Sequence, residues 1–114
     1  ASMVTGDLAD DWVTALAVRG DELVVGTYNS GIASFTRSPD RLRRTAVDPS
    51  LGYVNLAGIS VLASGELAVA TMNGLRIGNL GSFRTVPTLG VDATAVAVRG
   101  DERWAASRRG LSSF

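Results

Sequence analysis

Apolar and polar positions change places along the chain at short range, and each short run is closed by turn-forming residues. Val13, Ala15 and Ala17 alternate with Thr14, Leu16 and Val18, the two-residue period of a β-strand, and Gly20-Asp21 follows as a tight turn. Leu23 to Thr27 reads as its hairpin mate, Asn29-Ser30-Gly31 turns the chain again, and Ile32 to Thr36 makes a third strand. After the turn Ser38-Pro39-Asp40, Leu42 to Val47 carries Arg43 and Arg44 and reads as a solvated outer strand. The same grammar predicts strands over Ala57 to Leu62, Leu67 to Thr71, Leu75 to Leu80 and Phe83 to Pro87, then Ala93 to Val98, Arg103 to Ser107 and Leu111 to Phe114. No stretch of more than a few residues has helical apolar spacing, so the chain is expected to be all-β.

These runs are copies of one another. Ala15 to Glu22 (A-L-A-V-R-G-D-E) matches Ala95 to Glu102 (A-V-A-V-R-G-D-E) at seven of eight positions, at an offset of 80 residues. Between them, Glu66 to Gly74 (E-L-A-V-A-T-M-N-G) aligns with Glu22 to Gly31 (E-L-V-V-G-T-Y-N-S-G), so the copies start 44 and then 36 residues apart. A period near 40 built from short strands predicts β-propeller blades, each unable to bury both faces until it stacks on its neighbours. The chain then reads as a single three-blade unit, with repeats over about 12–47, 54–87 and 92–114 and a spare N-terminal strand at 3–6.

Copies one and two supply four strands each and copy three only three, so the spare strand, Met3 to Thr5, is the expected completion of the last blade. Propellers typically need four to eight blades to close. Three would leave two broad apolar faces exposed, which water-soluble monomers avoid. The expected solution is a homodimer: two copies head to tail about a two-fold axis, forming a six-bladed ring. The alternative is an excerpt whose remaining blades lie on another chain, and Ala1-Ser2 ahead of Met3 look like a remnant of cloning.

Glu22 to Phe35 resembles the short repeat of the two-component regulator propellers, whose blades carry a Leu-Trp-Val-Gly-Thr core, an Asn/Gly turn and a closing Phe. Asp10 to Leu16 is similar to the segment leading into that repeat's innermost strand. The family's Trp is Val24 in copy one and Ala68 in copy two, and returns as Trp104 in copy three, where Arg103, Ala105, Ala106 and Ser107 depart from the pattern. The resemblance implies the propeller fold and a bacterial periplasmic or extracellular sensor or scaffold region. It names no ligand. Trp104, a large apolar residue on an expected strand, is expected to be buried between blades.

Composition narrows the chemistry. There is no Cys, His or Lys, which removes thiol nucleophiles, imidazole bases, His or Cys metal ligands and Schiff-base lysines. No enzymatic activity and no cofactor or metal are expected. Eleven arginines balance eleven carboxylates, so no global field draws the chain to nucleic acid or an anionic membrane, and no apolar run reaches the roughly 20 residues of a membrane helix. A water-soluble domain is expected.

What remains is one rim of the propeller, where the loops entering each inner strand and the turns between second and third strands should meet. Candidate ligand-binding residues there are Trp12, Tyr28, Asn29, Tyr53, Asn55, Asn73, Arg108 and Arg109. Aromatic faces and amides suit a sugar or another small ligand, and an Arg pair suits a carboxylate or phosphate. The plain alternatives are that Trp12 packs at a blade junction, that the Asn residues take φ > 0 turn positions, and that the Arg pair is solvated or pairs with Asp10 or Asp11. Asp7, Asp10 and Asp11 supply too few ligands for Ca²⁺. The two Arg-Gly-Asp strings, at Gly20 and Gly100, are explained as hairpin turns rather than adhesion motifs. Two functions follow as expectations: a non-catalytic assembly module that closes into a ring, or a small-molecule or glycan sensor excerpted from a larger bacterial regulator.

Overall fold

The structure is a computed structural model that describes residues 12–37, 42–88 and 90–114. It is all-β, in three antiparallel sheets. Sheet I contains β1 (Val13–Arg19), β2 (Glu22–Thr27), β3 (Ile32–Arg37) and β4 (Leu42–Asp48), paired in that order. Sheet II repeats the plan with β5 (Val54–Val61), β6 (Leu67–Thr71), β7 (Gly74–Gly78) and β8 (Arg84–Val86). Sheet III has β9 (Ala95–Arg99), β10 (Glu102–Ser107) and β11 (Gly110–Ser113). The expected completion of the last sheet by Met3 to Thr5 lies outside the described residues.

The sheets stack so that their first strands are neighbours, β1 against β5 and β5 against β9. Three like sheets in this arrangement are compatible with the propeller-like fold that the repeat predicts. Alternation along each strand decides what the stack buries. Ala15, Val24 and Ile32 of sheet I meet Leu51, Val54, Ile59, Leu67 and Val69 in one core. The opposite face of sheet II sends Ala68, Ala70, Leu75 and Ile77 against Ala93 and Ala105 beside sheet III. Val24, Val54, Leu67, Val69 and Leu75 are fully enclosed, and burying each large aliphatic side chain contributes about 1.5–3 kcal/mol.

Close approach of sheets I and II depends on a small residue at 26. A Cβ built on Gly26 would lie 2.7 Å from Val54 Cγ1 and 3.1 Å from Ile59 Cδ1. Gly31 is needed for a second reason: its φ is +71°, and an added Cβ would fall 2.0 Å from the Asp48 carbonyl oxygen.

Three local features depart from the sequence expectation. β5 starts at Val54 rather than Ala57, and its register with β6 shifts between Val54 and Ile59. Ala57 there has φ 55°, the mark of extra residues accommodated against a shorter partner strand. β7 stops at Gly78 because residues 79–82 form a turn closed by Ser82 N–H donating to the Asn79 carbonyl at 2.9 Å. A short 3-10 turn, Pro49–Leu51, follows β4 and is capped by Asp48. Proline suits its first position because that N–H would be unpaired in any case.

Trp104 also corrects the expectation. It is 41% exposed rather than buried between sheets, and its indole N–H donates to Glu102 Oε1 at 3.1 Å. The reason is its face: Ala105 points to sheet II, so its neighbour Trp104 points to the other side, where the described chain places no sheet.

Candidate functional site

The predicted rim forms at the end of the sheets where β1, β5 and β9 begin and where the turns after β2, β6 and β10 lie. Backbone bonds draw these segments together: Tyr28 N–H donates to the Trp12 carbonyl at 3.0 Å, Gly31 to Gly52 at 2.8 Å, and Ala93 to Thr71 at 2.9 Å. Thr27 and Thr71 repeat one device, each hydroxyl donating to a glycine carbonyl in its turn, Gly31 at 2.8 Å and Gly74 at 2.7 Å.

Three aromatic side chains meet on this scaffold. Trp12 stacks on Tyr28 with ring centroids 4.6 Å apart and planes 9° from parallel. Tyr28 in turn meets Tyr53 edge-on, at 4.7 Å and 61°. Trp12 and Tyr28 come from sheet I and its entry, while Tyr53 directly precedes β5, so the row crosses from one sheet to the next. Its outer end is open to solvent: Trp12 is 59% exposed and Tyr28 40%. Trp12 therefore does not pack at a buried sheet junction.

The repeat supplies an internal comparison. Val13 pairs with Thr27 and Val54 with Thr71, which makes Trp12 equivalent to Tyr53 and Tyr28 equivalent to Met72; at an offset of 80 the same two sites in sheet III are Asp92 and Arg108. One pair of rim positions thus holds a stacked Trp/Tyr, then Tyr and Met, then an ion pair of Arg108 Nε with Asp92 Oδ2 at 3.3 Å. The Arg108 partner is Asp92; Asp10 and Asp11 lie outside the described residues.

The other candidates are placed differently. Asn55 donates its side-chain amide to the Ala93 carbonyl, tying sheet II to the entry of β9. Asn29 is exposed beside Tyr28, and Asn73 is exposed in the turn after β6, where its N–H donates to Thr71 Oγ1 at 3.2 Å. None of the three asparagines takes a positive φ; among the described residues Ala57 is the one non-glycine that does, and Gly31 and Gly74 carry that role in the turns. Arg109 is exposed, its N–H donating to Ser107 Oγ at 3.1 Å. The structure brings Trp12, Tyr28 and Tyr53 together; Asn29 follows Tyr28 in its turn, and Asn73 and Arg109 sit on the turns of sheets II and III.

A second polar centre was not singled out from sequence. Asp48 is buried at the end of β4 and accepts from Ser50 N–H at 3.0 Å, Ser50 Oγ–H at 2.5 Å and Gly81 N–H at 2.7 Å. Burial pushes its carboxyl upward, but the bonds from the Ser50 hydroxyl, Gly81 and Ser50 N–H outweigh it and hold the group below its ordinary 3.8. Its place directly before Pro-Ser was the available signal, an aspartate capping the turn that follows. Among the described residues no group of three or more His, Cys, Asp or Glu is arranged to hold a metal ion.

Compared with known proteins, the sequence matches no family model, no curated protein and no solved structure.

Proposed function

We propose that the chain is a non-catalytic assembly module of β-propeller type, and that two copies close head to tail into a ring of six sheets. One observation carries this reading. The face that sheet I lays on sheet II is built from Ala15, Ala17, Arg19, Val24 and Ile32. Their repeat equivalents on sheet III are Ala95, Ala97, Arg99, Trp104 and Leu111, and all five are exposed. Arg19 shows what such a face does when covered: its guanidinium donates to the Gly65 carbonyl at 2.9 Å and to Asn79 Oδ1 at 2.7 Å, both on sheet II. Arg99, its counterpart, is 92% exposed and, among the described residues, pairs with Glu102 at 3.6 Å.

At the opposite end of the stack, β1 exposes Leu16 and Val18, while Val25, Ala33 and Phe35 on the same face are already buried together and Leu23, the strand partner of Val18, is partly so. The equivalents of Leu16 and Val18 on sheet II, Ile59 and Val61, are the residues that receive sheet I. The two ends of the chain therefore carry the two halves of one kind of contact. A second copy satisfies both, each end of one copy meeting the other end of its partner, so that the contact occurs twice about the two-fold axis and the ring closes.

Absolute mass by light scattering across a dilution series tests this. A species at twice 11.9 kDa that resists dilution, and that falls apart on Trp104→Glu, is the expected result. A compact monomer overturns the ring, and a polydisperse sample assigns the missing sheets to a different chain.

A further inference from the structure

The row of Trp12, Tyr28 and Tyr53 is more aromatic than the fold requires. At the site of Tyr28 sheet II carries Met72 and sheet III Arg108, and at the site of Trp12 sheet III carries Asp92, so neither position needs a ring to form a sheet of this kind. The indole is also costly where it stands, because more than half of it meets water and exposed apolar area is unfavourable.

What the arrangement provides is a rigid flat surface. Parallel stacking on Tyr28 fixes the plane of the Trp12 indole, and the edge of Tyr53 fixes Tyr28 from its own sheet. A surface ordered before binding loses little side-chain freedom when a ligand arrives. The row itself bears no charge, and the nearest equivalent charges, Asp92 and Arg108, are paired with one another on sheet III. Asn29, exposed, and Ser30, half-buried, follow Tyr28 directly in the turn. A flat, uncharged aromatic face suits a pyranose ring, whose C–H face is apolar.

We infer that this row is a binding platform for a neutral oligosaccharide, with a sugar ring lying on the Trp12 indole. The site belongs to sheets I and II of a single chain, so it goes beyond the assembly reading and does not depend on ring closure.

The chain has two tryptophans, so Trp104→Phe leaves Trp12 as the sole indole reporter. Its fluorescence is titrated with cellohexaose, maltohexaose and hexa-N-acetylchitohexaose, with single-stranded oligo-dT as the stacking control and light scattering recording the oligomeric state of each sample. A saturable change with at least one of the sugars is expected and none with oligo-dT. In the same background Tyr28→Met, which borrows the residue of sheet II, should weaken binding at least 10-fold with an unchanged circular dichroism spectrum, while Arg43→Ala on the outer strand leaves it unchanged. Absence of a saturable response to all three sugars overturns the proposal, as does undiminished binding by Tyr28→Met. A response to oligo-dT equal to that with sugar also overturns it, since the surface would then be a general stacking site. A parent chain that is dimeric while the variant binds no sugar defeats this inference alone, and a parent chain that is monomeric while the variant binds sugar defeats the ring alone.

Discussion

Asp48 concentrates more hydrogen bonds than any other carboxylate described, and its three donors come from two sheets' worth of chain: Ser50 follows β4, while Gly81 lies in the turn between β7 and β8. Since its carboxyl is held below its ordinary value, the stability it contributes is fully present above pH about 4 and is lost as pH falls through the lowered folded value. Asp48→Asn should cost about 1.5–3 kcal/mol at neutral pH. Its denaturation midpoint should vary less between pH 5 and pH 2 than that of the parent chain, as urea titrations at several pH values would show. At this scale the sequence was only partly legible. Turn glycines and hairpins could be read from local chemistry, whereas the Asp48–Gly81 contact joins residues 33 apart and leaves no local trace. The asparagines misled for the same reason: their preference for positive φ is a tendency of isolated turns, and here Gly31 and Gly74 absorb that conformation after Asn29 and Asn73, while Asn55 lies within β5.

Strands were legible because alternation and repetition agree, and the expected β2, β3 and β6 coincide with the observed ones to within a residue. The irregular start of β5 was not, since a shifted register leaves a strand's composition intact while changing which residue faces which way. Trp104 belongs here too. Its type suggested burial, but alternation on β10 gives the enclosed position to Ala105, and whether Trp104 is covered depends on a neighbour outside its own chain segment. Sheet III consequently has one covered face, and Ala93 and Ala105 are its fully enclosed apolar residues. Backbone amides of β9, β10 and β11 should therefore exchange with deuterium faster than those of β2 and β6 at concentrations where the chain is dissociated. Protection should rise in sheet III as concentration increases. Uniform protection of all three sheets at every concentration would contradict that ordering.

For the molecule as a whole, the proposed stacking of like sheets between two copies would couple stability to association. If two copies close on each other, the thermal midpoint rises with protein concentration, because association draws on the folded chain. Arg99→Ala should lower the concentration dependence and weaken assembly by about 1 kcal/mol or more, as expected when a charged hydrogen-bonding group is removed from a contact, and sedimentation equilibrium measures it directly. The repeat made both the architecture and the place of the rim readable, but not how its side chains meet, because equivalent positions there differ most: aromatic, thioether and ionic side chains occupy one geometric place. That divergence has a consequence for how such a chain can change. Each rim pair is formed by the residue entering a first strand and one on the turn after the second, outside the enclosed interior, so its chemistry can change without repacking the core. Three copies of one plan thus carry three different letters on a common surface, two of them touching across a sheet boundary, and substitutions there alter surface chemistry without disturbing the enclosed fold.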